Sequence, residues 1–485
     1  MNLFKISVSI CFLFITAYSA EKAGPAIPAH PAQLRFESLN WSIPLGEPYR
    51  AVLNNGLRSY VATDSSLPLV QISGFIKYGS LLDPIGKEGL ASALATMIRY
   101  GGTEKYPADT LDKLIDQLAM RFNFSSNESS LNFNISFLSE YTDTAFSILE
   151  QMLFHPVFDQ KKFDKRKSIY IEAIRHRFDN PGPTLDAAYQ KIMYPNTIAS
   201  IFSSEQSIKA ITRDDLLKMH KKYIKTGNII FSIAGPFDRS SMISRLEKSF
   251  PSNSIPSDTL FPVIDCKPEL RSLLVFKPIS QAYVRLGLPL FKRPNPDYYP
   301  VSVLNMILGG GGFTSRLTTK IRSDEGLTYS IYSSVESNYA YPGTFFVEFY
   351  TKNQSFPRAT YLVFEEINKI VKDGVTDDEL KSAKETLIGE LPSMFRSPFD
   401  IVSTYAWNEF YGRSPEHYTK YIDEIKKINR DDIIRVAKKY LTTDKMTMTV
   451  VGDTTALLDS KDTRIDLRNF SPQKSIDASF IPQLP

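Results

Sequence analysis

"IKAITRDDLLKMHKKY" (208–223) returns 217 positions later as "IKKINRDDIIRVAKKY" (425–440). In both copies Thr212 or Asn429 stands as a helix N-cap before Arg-Asp-Asp, apolar residues recur at helical spacing, and Lys-Lys-Tyr closes the segment. Each copy runs on into a β-rich stretch, "NIIFSIAG" (228–235) and "MTMTVVG" (446–452). One helix-strand unit cannot bury both of its apolar faces, so the repeat marks the duplication of a whole domain. Function is therefore expected between two related halves.

Outward from the repeat, "PSNSIPSDTLFPV" (251–263) reads as a linker, with prolines and serines between two patterned regions. It separates an N-terminal domain, 46–250, from a C-terminal domain, 264–455, which leaves 456–485 as a tail. In the first half "YRAVLNNGLRSYVAT" (49–63) reads as a hairpin turned at Asn55-Gly56, and "SLNFNISFLSE" (130–140) alternates as a strand. The second half repeats the order, with strands in "SLLVFKPISQAYVRLGLPL" (272–290) and "GTFFVEFYT" (343–351) followed by helices from 357 to 441. Strands followed by blocks of helices predict an α+β fold, an antiparallel-rich sheet covered by helices in each domain.

The whole chain of 485 residues is 42% hydrophobic and 23% charged, an ordinary globular composition, and its net charge of +4 is scattered. No basic stripe suggests nucleic acid. At the N-terminus one lysine precedes the apolar run "ISVSICFLFITAY" (6–18), and small residues follow in "AYSAE" (17–21), which reads as a secretory signal peptide over 1–20. A Pro/Ala-rich arm fills 21–45. A secreted or periplasmic protein is expected, with no membrane span once the signal is removed. Cys11 lies inside the apolar run after Ile10, which speaks against lipid anchoring, and Cys266 is left without an intrachain partner.

The stretch 53–107, with "GLASALATMIRYGG" (89–102) at its centre, and "LNMILGGGGFTSRLTTKIRSDEGLTYSIYSS" (304–334) together resemble the insulinase/pitrilysin peptidases of the two-domain processing type. The resemblance implies two homologous domains facing a chamber. Active members carry H-x-x-E-H on the helix that "GLASALAT" matches; helix positions i and i+4 share a face, so two imidazoles hold one zinc while the glutamate activates its water. Here the matching positions are Ser92, Ala95 and Thr96, which supply neither imidazole nor base. Glu172, 76 residues after Thr96, fits the family's third ligand, with His176 one turn on. One carboxylate does not hold the metal, so this chain is expected to carry no cofactor of its own.

In the C-terminal domain the resemblance assigns Arg322 and Tyr329, seven positions apart across a turn at Asp324-Glu325-Gly326, to the pair that reaches the substrate of a zinc site on the other domain. Such donors stabilise the oxyanion of a tetrahedral intermediate. Read from spacing alone, Arg322 pairs on the surface with Asp324 or Glu325. Gly309, Gly310, Gly311 and Gly312 lack the Gly-Lys-Ser/Thr of a phosphate loop and are expected to permit close packing, with peptide contact. The resemblance implies a zinc-less subunit that pairs with an H-x-x-E-H-bearing homologue, which holds the zinc, and acts on unfolded or short peptides. A purely structural subunit and a peptide-binding, chaperone-like chain are the alternatives.

Overall fold

The computed structural model describes residues 41–252, 261–458 and 464–484, with the single positions 30, 33, 34 and 462. The expected signal peptide, the arm apart from 30, 33, 34 and 41–45, and residues 253–260 of the linker lie outside them. By its contacts the chain divides at Ser42, and both sheets lie in the part from Ile43 on.

Six strands build the first sheet: β1 (Arg50–Val52), β2 (Arg58–Thr63), β3 (Leu69–Ile76), β4 (Arg121–Ser126), β5 (Leu131–Leu138) and β6 (Ile229–Gly235). Six more build the second: β7 (Ser272–Phe276), β8 (Gln281–Pro289), β9 (Thr328–Glu336), β10 (Thr344–Lys352), β11 (Thr447–Gly452) and β12 (Gln473–Asp477). The sheet orders are β1-β2-β6-β3-β5-β4 and β12-β7-β11-β8-β10-β9. Five strands correspond one to one, and β2 with β6 and β7 with β11 are the equivalent parallel pairs in otherwise mostly antiparallel sheets. The α+β expectation holds, and duplication of the domain explains it.

The sixth strand differs between the halves. In the first it is β1, whose hairpin with β2 turns at Gly56 with φ +87°. In the second it is β12, which runs parallel to β7 and comes from the segment expected as a tail. Ile481 and Leu484 beyond it are buried, and the Leu484 carbonyl accepts from Lys191 Nζ at 2.7 Å.

Detail of the repeat survives in the side chains. Lys167 Nζ donates to the carbonyls of Lys209 and Ile211, and Lys384 Nζ donates to those of Lys426 and Ile428, each residue displaced by the same 217 positions. Helices Pro181–Met193 and Pro398–Phe410 are another such pair, and each crosses to the other half. The first packs on β7, β8 and β11, and the second on β2, β3 and β6. The approach is close: a Cβ on Gly287 in β8 would fall 2.2 Å from the Tyr189 hydroxyl. This exchange covers the second face of β6, whose seven residues are all buried, as a strand sandwiched on both sides requires.

Candidate functional site

Helix Leu90–Tyr100 carries the positions that match the family's metal motif. Its first turn lacks a side-chain N-cap, because Gly89 stands there with φ +103°. Asp83, six residues upstream, fills that role. Its carboxylate accepts from the amides of Gly89 and Ala91 at 2.9 Å and from the Tyr78 hydroxyl at 3.1 Å. Burial pushes the Asp83 carboxyl up to about 6 against these hydrogen bonds. Tyr78 in turn stacks on Tyr223, the last residue of the repeated helix, with ring centroids 4.3 Å apart.

Ser92 and Thr96, one turn apart, line a cavity of about 200 Å³ between this helix and helix Gln160–Arg175. Ala95 is 1% exposed and belongs to the core. The second helix contributes Phe163, Arg166, Lys167, Ile169, Tyr170 and Ala173, residues that recur at helical spacing along one side of it. Glu172 is not among them. Its carboxylate turns outward to His176 Nε2 at 3.1 Å and Arg175 at 3.2 Å, on an exposed surface where His176 also meets Asp179. Ala173, one position further on, lines the cavity with Ser92 and Thr96, whereas Glu172, expected as the residual ligand, does not, because one residue turns the side chain about 100° around the helix. Two hydroxyls and a methyl do not suit zinc. Among the described residues no group of three or more histidine, cysteine, aspartate or glutamate side chains is placed to hold a metal.

In the second half the chain widens into π-helical turns at Met306–Gly310 and Thr318–Asp324, a geometry common at functional sites. Arg322 leaves the second turn and lies 4.8 Å from the ring of Tyr329, so the expected pair is brought together. Arg322 also lies 4.5 Å from the ring centroid of Phe313, a residue that sequence spacing does not single out. Tyr329 is 77% and Phe313 70% exposed, so two solvent-facing rings pack on one guanidinium. Among the described ion pairs Arg322 has no carboxylate. Glu325, the alternative partner, is engaged by Arg358 with two short bonds and by Lys320. A Cβ on Gly309 would fall 2.5 Å from the Ser333 amide, one on Gly310 2.6 Å from Asn305 Nδ2 and one on Gly311 2.6 Å from the Met306 carbonyl. Gly312 has φ +60° and open space about it, which sets Phe313 out from the helix.

The model of the insulinase family, peptidase family M16, matches residues 60–200, and that of the peptidase M16 inactive domain matches 210–387. A Helicobacter pylori protein named "Non-peptidase homolog YmxG" is 25% identical over 80% of this chain and 90% of its own. "Uncharacterized zinc protease YmxG" of Bacillus subtilis is 25% identical over 81% of this chain and 96% of its own. A crystal structure of a peptidase M16 inactive domain from Pseudomonas fluorescens has the same fold, with a TM-score of 0.74 at 22% identity over 83% of this chain and 97% of that one. The two family models follow one another in the order of the two sheets and together take in well over half of the sequence. The chain belongs to the insulinase (M16) peptidase family.

Proposed function

We propose that this chain is a zinc-less subunit that completes the peptidase site of an H-x-x-E-H-bearing homologue. The observation that carries the reading is the half-buried Arg322 guanidinium, held against the exposed ring of Tyr329 and without a carboxylate among the described ion pairs. A structural role alone gives no reason to leave Tyr329 exposed beside an arginine that no carboxylate meets among the described ion pairs. In the complex Arg322 and Tyr329 donate to the oxyanion formed at the partner's zinc. Phe313 packs on the same guanidinium, and extended peptides add to a sheet edge. The signal-like N-terminus supports a secreted or periplasmic setting.

Native purification tests this. A second chain carrying H-x-x-E-H and one zinc should accompany this one. In the assembled pair Arg322→Ala should lower kcat/KM by roughly 100-fold with zinc and assembly unchanged. Unchanged kinetics in an intact pair, or the lack of any such companion, overturns the reading. The peptide-binding alternative, without a catalytic partner, draws support from the cavity at Ser92 and Thr96.

A further inference from the structure

We propose that the cavity at the former metal position is a peptide-binding pocket that takes one ring-sized apolar side chain flanked by carboxylates. Serine, threonine and alanine stand where active members place two imidazoles and a carboxylate, so the space for those groups and their ion is left as volume. That volume, about 200 Å³, exceeds the roughly 150 Å³ of a cavity that admits benzene. Its walls are apolar and fixed: Met97, Phe163, Ile208 and Ile211 are all core residues. Gly89 lets the wall close, since a Cβ there would come within 2.6 Å of the Ile208 δ1 carbon and 3.3 Å of the Tyr170 ring. Ile169, at the mouth, is 50% exposed.

The charge at the mouth selects the flanking groups. Arg166 lies 3.6 Å over the Tyr100 ring, and among the described ion pairs no carboxylate meets it. Lys161 and Lys165 are exposed on the same helix. Asp109 is paired with Lys162, Asp215 with Lys87, and Glu172 with Arg175 and His176, whereas Asp164 accepts from the neutral Gln160 amide and keeps its charge, on a helix with six cationic residues against two acidic ones. Arg166, which lines the cavity, is thus left to meet the ligand's carboxylates, while Lys167 beside it is held by the Lys209 and Ile211 carbonyls. The hydroxyls of Ser92 and Thr96 can hydrogen-bond a peptide main chain. That the ligand is a peptide rests on the family; the size and charge of the pocket do not, and neither needs a zinc-bearing partner.

Three isoleucines, Ile169, Ile208 and Ile211, line the pocket and serve as reporters. The full chain alone, with 13C-labelled isoleucine methyls, is titrated with Ac-Glu-Phe-Glu-NH2, Ac-Lys-Phe-Lys-NH2, Ac-Glu-Ala-Glu-NH2 and decanoate. The first peptide should shift these three methyls. The alanine peptide should bind at least about tenfold more weakly, for want of the buried ring. The lysine peptide should be roughly three- to fivefold weaker through the exposed charges. Thr96→Phe should fill the pocket and remove the response. Arg166→Gln, which leaves the apolar walls Met97, Phe163, Ile208 and Ile211 in place, should erase most of the preference for the acidic peptide. No shift at the three methyls, equal binding of the lysine peptide, or a response to decanoate alone overturns the proposal. Because no partner is present, failure here is distinct from failure to find a zinc-bearing companion.

Discussion

At the scale of the residue, the vacated site turns on one position in a helix. Counting along the chain sets Glu172 as the third ligand, but Ala173 lines the cavity with Ser92 and Thr96 while Glu172 bonds His176 outside it. Sequence spacing locates a ligand to within a residue, and a helix punishes an error of one with a different face. A rebuilt metal site separates the two assignments. Ser92→His with Thr96→His and Ala173→Glu gives two imidazoles and a carboxylate around one space, the set zinc accepts. That triple variant should retain about one zinc after dialysis. The double histidine variant, with Glu172 in place and Ala173 unchanged, should retain no more than the wild type. Ala95 is left alone because a glutamate there enters the core, so the rebuilt site should hold metal without turnover. Zinc bound equally by both variants would return Glu172 to the site.

The element that presents these residues is held by a carboxylate that no local pattern reveals. Strands and repeated helices were legible because alternation and helical spacing leave marks, as in β5, where Leu131, Phe133, Ile135 and Phe137 are buried in turn. Asp83 was not legible: it caps helix Leu90–Tyr100 from six residues away, and Gly89 hides the helix start. The strand β12 was missed for a related reason. "QKSID" has no apolar face of its own, and it becomes a strand because the edge of β7 offers it backbone partners. Asp83→Ala should strand the buried Ala91 amide, the half-buried Gly89 amide and the Tyr78 hydroxyl and destabilise the chain by about 2–3 kcal/mol, read from denaturant midpoints at matched slopes. The titration has a definite sign. The folded carboxyl lies near 6 against an ordinary 3.8, so the stability favoured by its neutral form is complete below about pH 4 and is lost as pH rises through 6. The stability difference between wild type and Asp83→Asn should therefore change between about pH 4 and 6 and level off above it. A difference that stays flat across that interval would show that Asp83 titrates normally.

Over the whole molecule the two halves exchange helices, and this ties their stability together. An amphipathic pattern tells that Pro398–Phe410 has an apolar face but not which sheet receives it, so the crossing is invisible in the sequence. At the crossing Glu409 accepts from Arg50 Nε and Tyr60 OH, both at 2.8 Å, and lies 3.7 Å from Arg58. Burial raises the Glu409 carboxyl, but hydrogen bonds from Arg50 and Tyr60 outweigh it and hold the group below its ordinary range. Its stabilisation is present above the ordinary carboxylate range and lost as pH falls through the depressed value, opposite in sign to Asp83. Glu409→Ala leaves the two arginines without it and should cost about 2–3 kcal/mol at neutral pH, and less in acid. The exchange also bears on the boundary between the halves. Produced separately, 46–250 would lose the helix that covers β6, and 264–485 would lose the helix that carries Leu185, Ala188 and Ile192 onto β7, β8 and β11. Neither piece should show a cooperative unfolding transition alone, since each exposes a sheet face that the other half must bury. Co-expressed, the two pieces should assemble and recover a single transition, followed by circular dichroism in denaturant. A cooperative transition from 46–250 alone would show that the crossed helix is an accessory to a self-sufficient domain.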